Sequence, residues 1–308
     1  MKIFRIIITV SVILSFGFFI YTTDLNETFR LLRSLGWGLL WIPLCTFVAY
    51  VLGTAGWYFC LEDRSVSLAR LFVYRLAGET VGLFNPASIV GGDIIKSGYL
   101  EQHGIPRDDA ARSVVLSRIM AVISQILLMI VSATWLLWRL PVQVSLWPVL
   151  LVPGIILLLI KPLKNYLTSR KPQWMKKVRE FMRGLKRFMK ANPRAAVASF
   201  VFFLLHWVAG SLELYIILKL LGHTIPVFYG VFMDMGVILV KSVGAFIPGQ
   251  LGIEELGNKL VLEIVGIASH QVWLSVTILR RSRQLFWAIP GFLIYFKLLR
   301  HGDPLRKS

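Results

Sequence analysis

Four arginines stand inside stretches that are otherwise apolar: Arg118, then Arg280, Arg281 and Arg283, the second group beginning 162 positions after the first. A charged side chain at the depth of a hydrocarbon layer costs several kcal/mol, so each should face a polar cavity or a partner. A guanidinium fork matches a phosphate or carboxylate bidentately, which makes an anion its natural ligand. Arg280, Arg283 and Gln284 share one helical face by their three- and four-residue spacing, while Arg281 points elsewhere. Glu79, Asp93, Glu254 and Glu255 are the acids that would close the fold as ion pairs or couple an ion. Lys241 occupies the position equivalent to Glu79, which predicts a pair between them. Asp234, amid Phe232, Met233 and Met235, is expected on a cavity wall, and His206 is expected to be a hydrogen-bonded packing group. No nucleotide-binding loop, zinc-binding helix, Cys-x-x-Cys pair or nucleophile elbow occurs, so neither an enzyme nor a cofactor or metal is expected.

The elements carrying these residues are duplicated. Val81 to Arg118 and Val243 to Arg280 align without a gap and share eleven identities in 38 positions. About two or three would arise by chance in so biased a composition. Pro86/Pro248, Gly82/Gly244 and Arg118/Arg280 are among the identities, and Asp93/Glu255 keeps its charge. Each copy is an apolar segment broken by Gly and Pro, then an acid, then a long apolar segment with an arginine inside. Paired interruptions of this kind mark a transporter's binding site, and split-helix ends offer free backbone N–H groups to an anion. The substrate-binding candidates are therefore Arg118, Arg280, Arg283 and Gln284, with Asn85, Gly91, Gly92, Lys96, Gly249 and Gly252 of the broken segments.

Hydrophobic residues make up 56% of 308, charged residues 16%, and the mean hydropathy is +0.69. Several apolar runs exceed a bilayer's thickness, which excludes a soluble domain and predicts an all-α polytopic membrane protein. The net charge of +18 does not imply nucleic acid, because the excess sits in one loop and at the two ends. Cys45 and Cys60 have no ligand spacing and are expected to be small core hydrophobes. Expected spans are 1–21, 37–60, 110–138, 144–160, 195–221 and 271–299, with broken segments at 71–100 and 227–265. Between Lys161 and Arg194 lie twelve Lys/Arg and one acid, Glu180. There Trp174, Val178, Phe181, Leu185 and Phe188 follow helical spacing, predicting an amphipathic helix on an anionic membrane surface.

The basic loop and basic tail should both be cytoplasmic. Counting spans from them gives the two broken segments opposite orientation, with both termini in the cytoplasm. The expected architecture is an inverted repeat, 1–140 and 141–308, each half three spans plus one re-entrant hairpin.

Pro86, the Gly91-Gly92-Asp93-Ile94-Ile95-Lys96 run, Ala110, Ser113-Val114 and Arg118 resemble the first signature of the lysylphosphatidylglycerol synthase transmembrane-region family, a flippase-like group. Pro248-Gly249-Gln250-Leu251-Gly252-Ile253-Glu254 with Gly266 and Arg280 resembles its second. Two positions depart: Lys96 stands where arginine is common, and Gln250 replaces a usual glycine. In the fused synthases this region is associated with moving the modified lipid across the bilayer; these 308 residues are not expected to include the soluble transferase half, so lipid synthesis is not carried over. The resemblance implies transbilayer movement of an anionic phospholipid or polyprenyl-phosphate-linked lipid in the plasma (inner) membrane. The alternatives are an intramembrane transferase or accessory subunit of envelope-lipid or glycolipid synthesis, and a small-anion transporter. The expected partners are the anionic lipid itself and lipid-modifying enzymes, with no nucleic acid.

Overall fold

The computed structural model describes residues 21, 25–84, 88–139, 173–243, 250 and 252–301. Apart from Tyr21, the expected spans 1–21 and 144–160 lie outside these residues, as do Pro86 and Pro248. The described residues contain helices and connections and no strand. In order they are α1 (Leu25–Leu35), a 3-10 turn (Gly36–Leu40), α2 (Trp41–Tyr58), α3 (Leu68–Phe84), α4 (Ser88–Gln102), α5 (Arg107–Arg139), α6 (Gln173–Ala191), α7 (Pro193–Leu220), α8 (Val227–Val243), α9 (Ile253–Ile264) and α10 (His270–His301).

Three stretches, Phe29–Tyr58, Arg107–Leu136 and Pro193–Leu220, are long and apolar enough to cross a membrane. Helix α10 is as long but carries Arg280, Arg281 and Arg283 in its middle. Val197, Val201 and Leu205 lie four apart on α7 and all face outward, as do Leu44, Phe47 and Val51 on α2. Apolar side chains thus cover the outside while Arg75, Lys96, Glu213, Glu254 and Arg280 are buried. That distribution suits a lipid solvent.

The duplication seen in the sequence recurs in the elements. An offset of 162 carries α5 onto α10, α3 onto α8 and α4 onto α9, each within a few residues of their ends. The packing is exchanged in the same way: α10 lies on α3 and α5 lies on α8, while α5 packs on α7 and α10 on α2. The equivalent helices α2 and α7 pack directly on one another. Cys60 Sγ lies 3.2 Å from Ser199 Oγ, and the Ala49 carbonyl lies 2.6 Å from His206 Nδ1. Rising numbers on one helix meet falling numbers on the other, so they run antiparallel. Small residues allow the approach; a Cβ on Gly56 would fall 2.9 Å from the Phe203 ring. Hairpin α3–α4 closes by the same device, since a Cβ on Gly92 would strike the Gly78 carbonyl oxygen.

The expected surface helix is α6, and the described C-terminal part of its apolar stripe rests on protein. Leu185 and Phe188 are buried in the core formed with Val66, Ile105 and Ala110, and Phe181 and Met189 pack beside them. The reason is competition: the end of the bundle leaves apolar surface that this stripe covers. Arg183, Lys186, Arg187 and Lys190 are left facing outward.

Candidate functional site

A cavity of about 420 Å³ lies between the two halves, a size typical of small-ligand sites. Its wall takes Thr46 and Tyr50 from α2, Arg75 and Glu79 from α3, Lys96 from α4 and Arg118 from α5. From the other half come His206 and Glu213 on α7, Asp234 and Lys241 on α8, and Arg280, Arg283, Gln284 and Trp287 on α10. Six cations and three carboxylates therefore face one space, which favours an anionic ligand. A smaller chamber of about 100 Å³ shares Arg75, Glu79, Lys96 and Arg118 with it and adds Asp93, Trp57 and Ser117.

The charges form two networks. In the first half, Arg118 donates to both Asp93 oxygens, at 2.8 and 3.4 Å. Lys96 donates to Asp93 at 3.3 Å and to Glu79 at 2.7 Å, and Arg75 Nε lies 4.0 Å from Glu79. A Cβ on Gly53 would fall 2.6 Å from Arg75 Cζ, so that glycine lets the guanidinium lie against α2. The same guanidinium sits 5.9 Å over the Tyr50 ring.

In the second half, Arg280 donates to Asp234 at 2.7 Å and to Asn258 at 3.2 Å, with Glu254 at 3.4 Å. Glu254 also accepts from Lys241 at 3.2 Å and from Gln284 at 2.6 Å, while Ser211 donates to Asp234 at 3.2 Å. Arg283 pairs with Glu213 at 2.9 Å and donates to Thr46 at 3.4 Å. Arg281 turns away from the wall and pairs with Glu255.

The expected residues are thus sorted. Arg118, Arg280, Arg283, Gln284, Lys96 and Gly92 line the cavity, as does Asp234. Gly91 is buried but off the wall, and Gly252 is exposed at the start of α9 with φ +81°, a conformation that favours glycine. Asn85 and Gly249 lie outside the described residues. The pair predicted between Glu79 and Lys241 is not the one formed: each bonds within its own hairpin, to Lys96 and to Glu254. Charge is satisfied locally there, where α4 and α9 bring the partner one helix away. His206 bonds the Ala49 carbonyl, as a packing histidine would, and also reaches the wall. Sequence reasoning gave no role to Arg75, Tyr50, Thr46, Glu213 or Trp287.

Every cation on this wall already holds a carboxylate or, for Arg75, lies beside one. An anion entering such a site would have to displace an acid from its guanidinium. Neither the curated proteins nor the solved structures gave a match to this chain. The family model described as "Lysylphosphatidylglycerol synthase TM region" matches residues 3–291, and the chain belongs to that family.

Proposed function

We propose that this membrane protein is a carrier that moves an anionic phospholipid, or a lipid bearing a polyprenyl-linked phosphate, between leaflets. The observation that carries this reading is a single cavity faced by arginines from both halves, Arg118 on one side and Arg280 and Arg283 on the other. The phosphate passes through it while the acyl chains stay in the bilayer. Part of the rim is apolar, with Leu83, Val122 and Ile238 on the wall and Val122 itself exposed, which suits a lipid tail. The offset that relates the elements, the exchanged packing and the antiparallel α2 and α7 support two halves inverted in the membrane, each with a re-entrant hairpin. We assign the protein to the plasma (inner) membrane with both termini cytoplasmic, from its charge distribution.

The test is reconstitution into vesicles carrying a trace of fluorescent phosphatidylglycerol, its aminoacyl forms or a polyprenyl phosphate, with a membrane-impermeant quencher added outside. Protein-dependent loss of the protected inner-leaflet signal is expected for at least one of them. Rates equal to empty vesicles for all three would end the proposal.

A further inference from the structure

The acids of the cavity differ in what each has left when an anion takes its cation. If a phosphate takes Arg118, Asp93 keeps Lys96 at 3.3 Å. Glu79 keeps one of Lys96 and Arg75, and Glu254 keeps Lys241 and Gln284. Asp234 keeps the Ser211 hydroxyl. Glu213 is different. Among the described residues its one cation within ion-pair range is Arg283, its other oxygen Oε1 has no hydrogen-bond partner, and its side chain is 3% exposed.

The helices packed on α7 offer it no second ion-pair partner, Lys241 of α8 being held by Glu254. Helix α2 presents Cys45, Tyr50 and the Thr46 hydroxyl, the last engaged by Arg283. Helix α8 presents Asp234, and α9, packed behind α8, adds Glu254, both repelling a carboxylate. Helix α10 adds Arg280, held by Asp234, Asn258 and Glu254. Helix α5 brings Arg118, held by Asp93, and the described side chains of α6 add only exposed basic residues of its outer side. A carboxylate left buried without a partner neutralises itself rather than stay charged.

We propose that Glu213 is a proton-binding site coupled to the ligand: an anionic headgroup that takes Arg283 displaces Glu213, which then takes up one proton. This rests on the transport reading above. One negative headgroup and one proton occupy the cavity together, so the loaded site keeps the net charge of the empty one. The proton comes from the water on whichever side the cavity faces and leaves when Arg283 returns to Glu213.

The probe is short-chain dihexanoyl phosphatidylglycerol, whose phosphodiester stays charged throughout, titrated calorimetrically into the purified full-length protein in detergent. With one proton taken up per lipid, affinity falls by up to about tenfold for each unit of rising pH, by linkage. The heat should also shift with the ionisation enthalpy of the buffer. Glu213→Gln should bind with an affinity flat in pH and a heat indifferent to buffer. The wild-type measurement decides by itself if that variant fails to fold. Binding that is flat in pH and buffer-independent in the wild type, with vesicle transport intact, overturns the proton site alone. Absence of both binding and transport for every lipid tested removes the transport reading and this inference with it.

Discussion

Arg118 and Arg280 stand at equivalent positions, yet truncating them should have different consequences. The Arg118 side chain is 37% exposed, and the acid it would abandon has Lys96 in hand. Arg118→Ala should therefore abolish lipid movement in the vesicle assay while leaving the thermal midpoint in detergent within a few degrees of wild type. Arg280 is 5% exposed and answers Asp234, Glu254 and Asn258. Arg280→Ala leaves buried acids facing each other, which costs about 3–5 kcal/mol and should show as loss of folded protein on size-exclusion chromatography. Equal midpoints for the two variants would contradict this division. The arginines were legible in the sequence because a guanidinium in an apolar run is expensive and needs a reason. Glu213 was not, because its cation lies 70 positions away on α10 and only the packing of α7 against α10 joins them.

At the scale of elements, the hairpin α3–α4 depends on a backbone contact. A Cβ on Gly92 meets the carbonyl of Gly78, an atom that cannot swing aside. Gly92→Ala should cost about 1–3 kcal/mol by overpacking, measured as a lowered thermal midpoint, and Lys96 should lose its grip on Glu79 as the helices part. The strap α6 makes a second case. Phe188→Asp should release it from the core, read as faster proteolysis around 173–191, whereas Arg183→Ala on its outer side should leave transport near wild type. The amphipathic stripe of α6 was visible in the sequence, but its cover was not. An apolar stripe is the same surface whether a bilayer or a bundle end lies against it, and only tertiary structure decides.

For the whole molecule, the duplication predicts two equivalent seams, and they differ here. Thr80 is buried against Gly291 on α10, with the Phe84 ring packed at a tilt on Phe292 next to it. Its counterpart Ser242 on α8 is exposed, although both line the cavity. Under the proposed carrier cycle the two seams exchange these roles. An ideal Cβ on Gly291 falls 2.8 Å from Thr80 Cβ, about 1 Å nearer than a disulfide prefers, so a small shift suffices. The paired change Thr80→Cys and Gly291→Cys should cut transport at least about tenfold when oxidised and recover on reduction. Full transport by the oxidised pair would show that this seam need not part. The repeat itself could be read from eleven identities, whereas the burial of Thr80 against the exposure of Ser242 could not, because both seams are built from similar small and apolar residues.

The internal pairing of the wall's cations also bears on the return journey. Bare guanidinium groups would hold their cargo until another lipid replaced it, and such a carrier could only swap lipids one for one. Here Asp93 and Glu213 take the cargo's place on Arg118 and Arg283. The vacant carrier can reset on its own, so under this reading it delivers net flux and can fill one leaflet at the expense of the other.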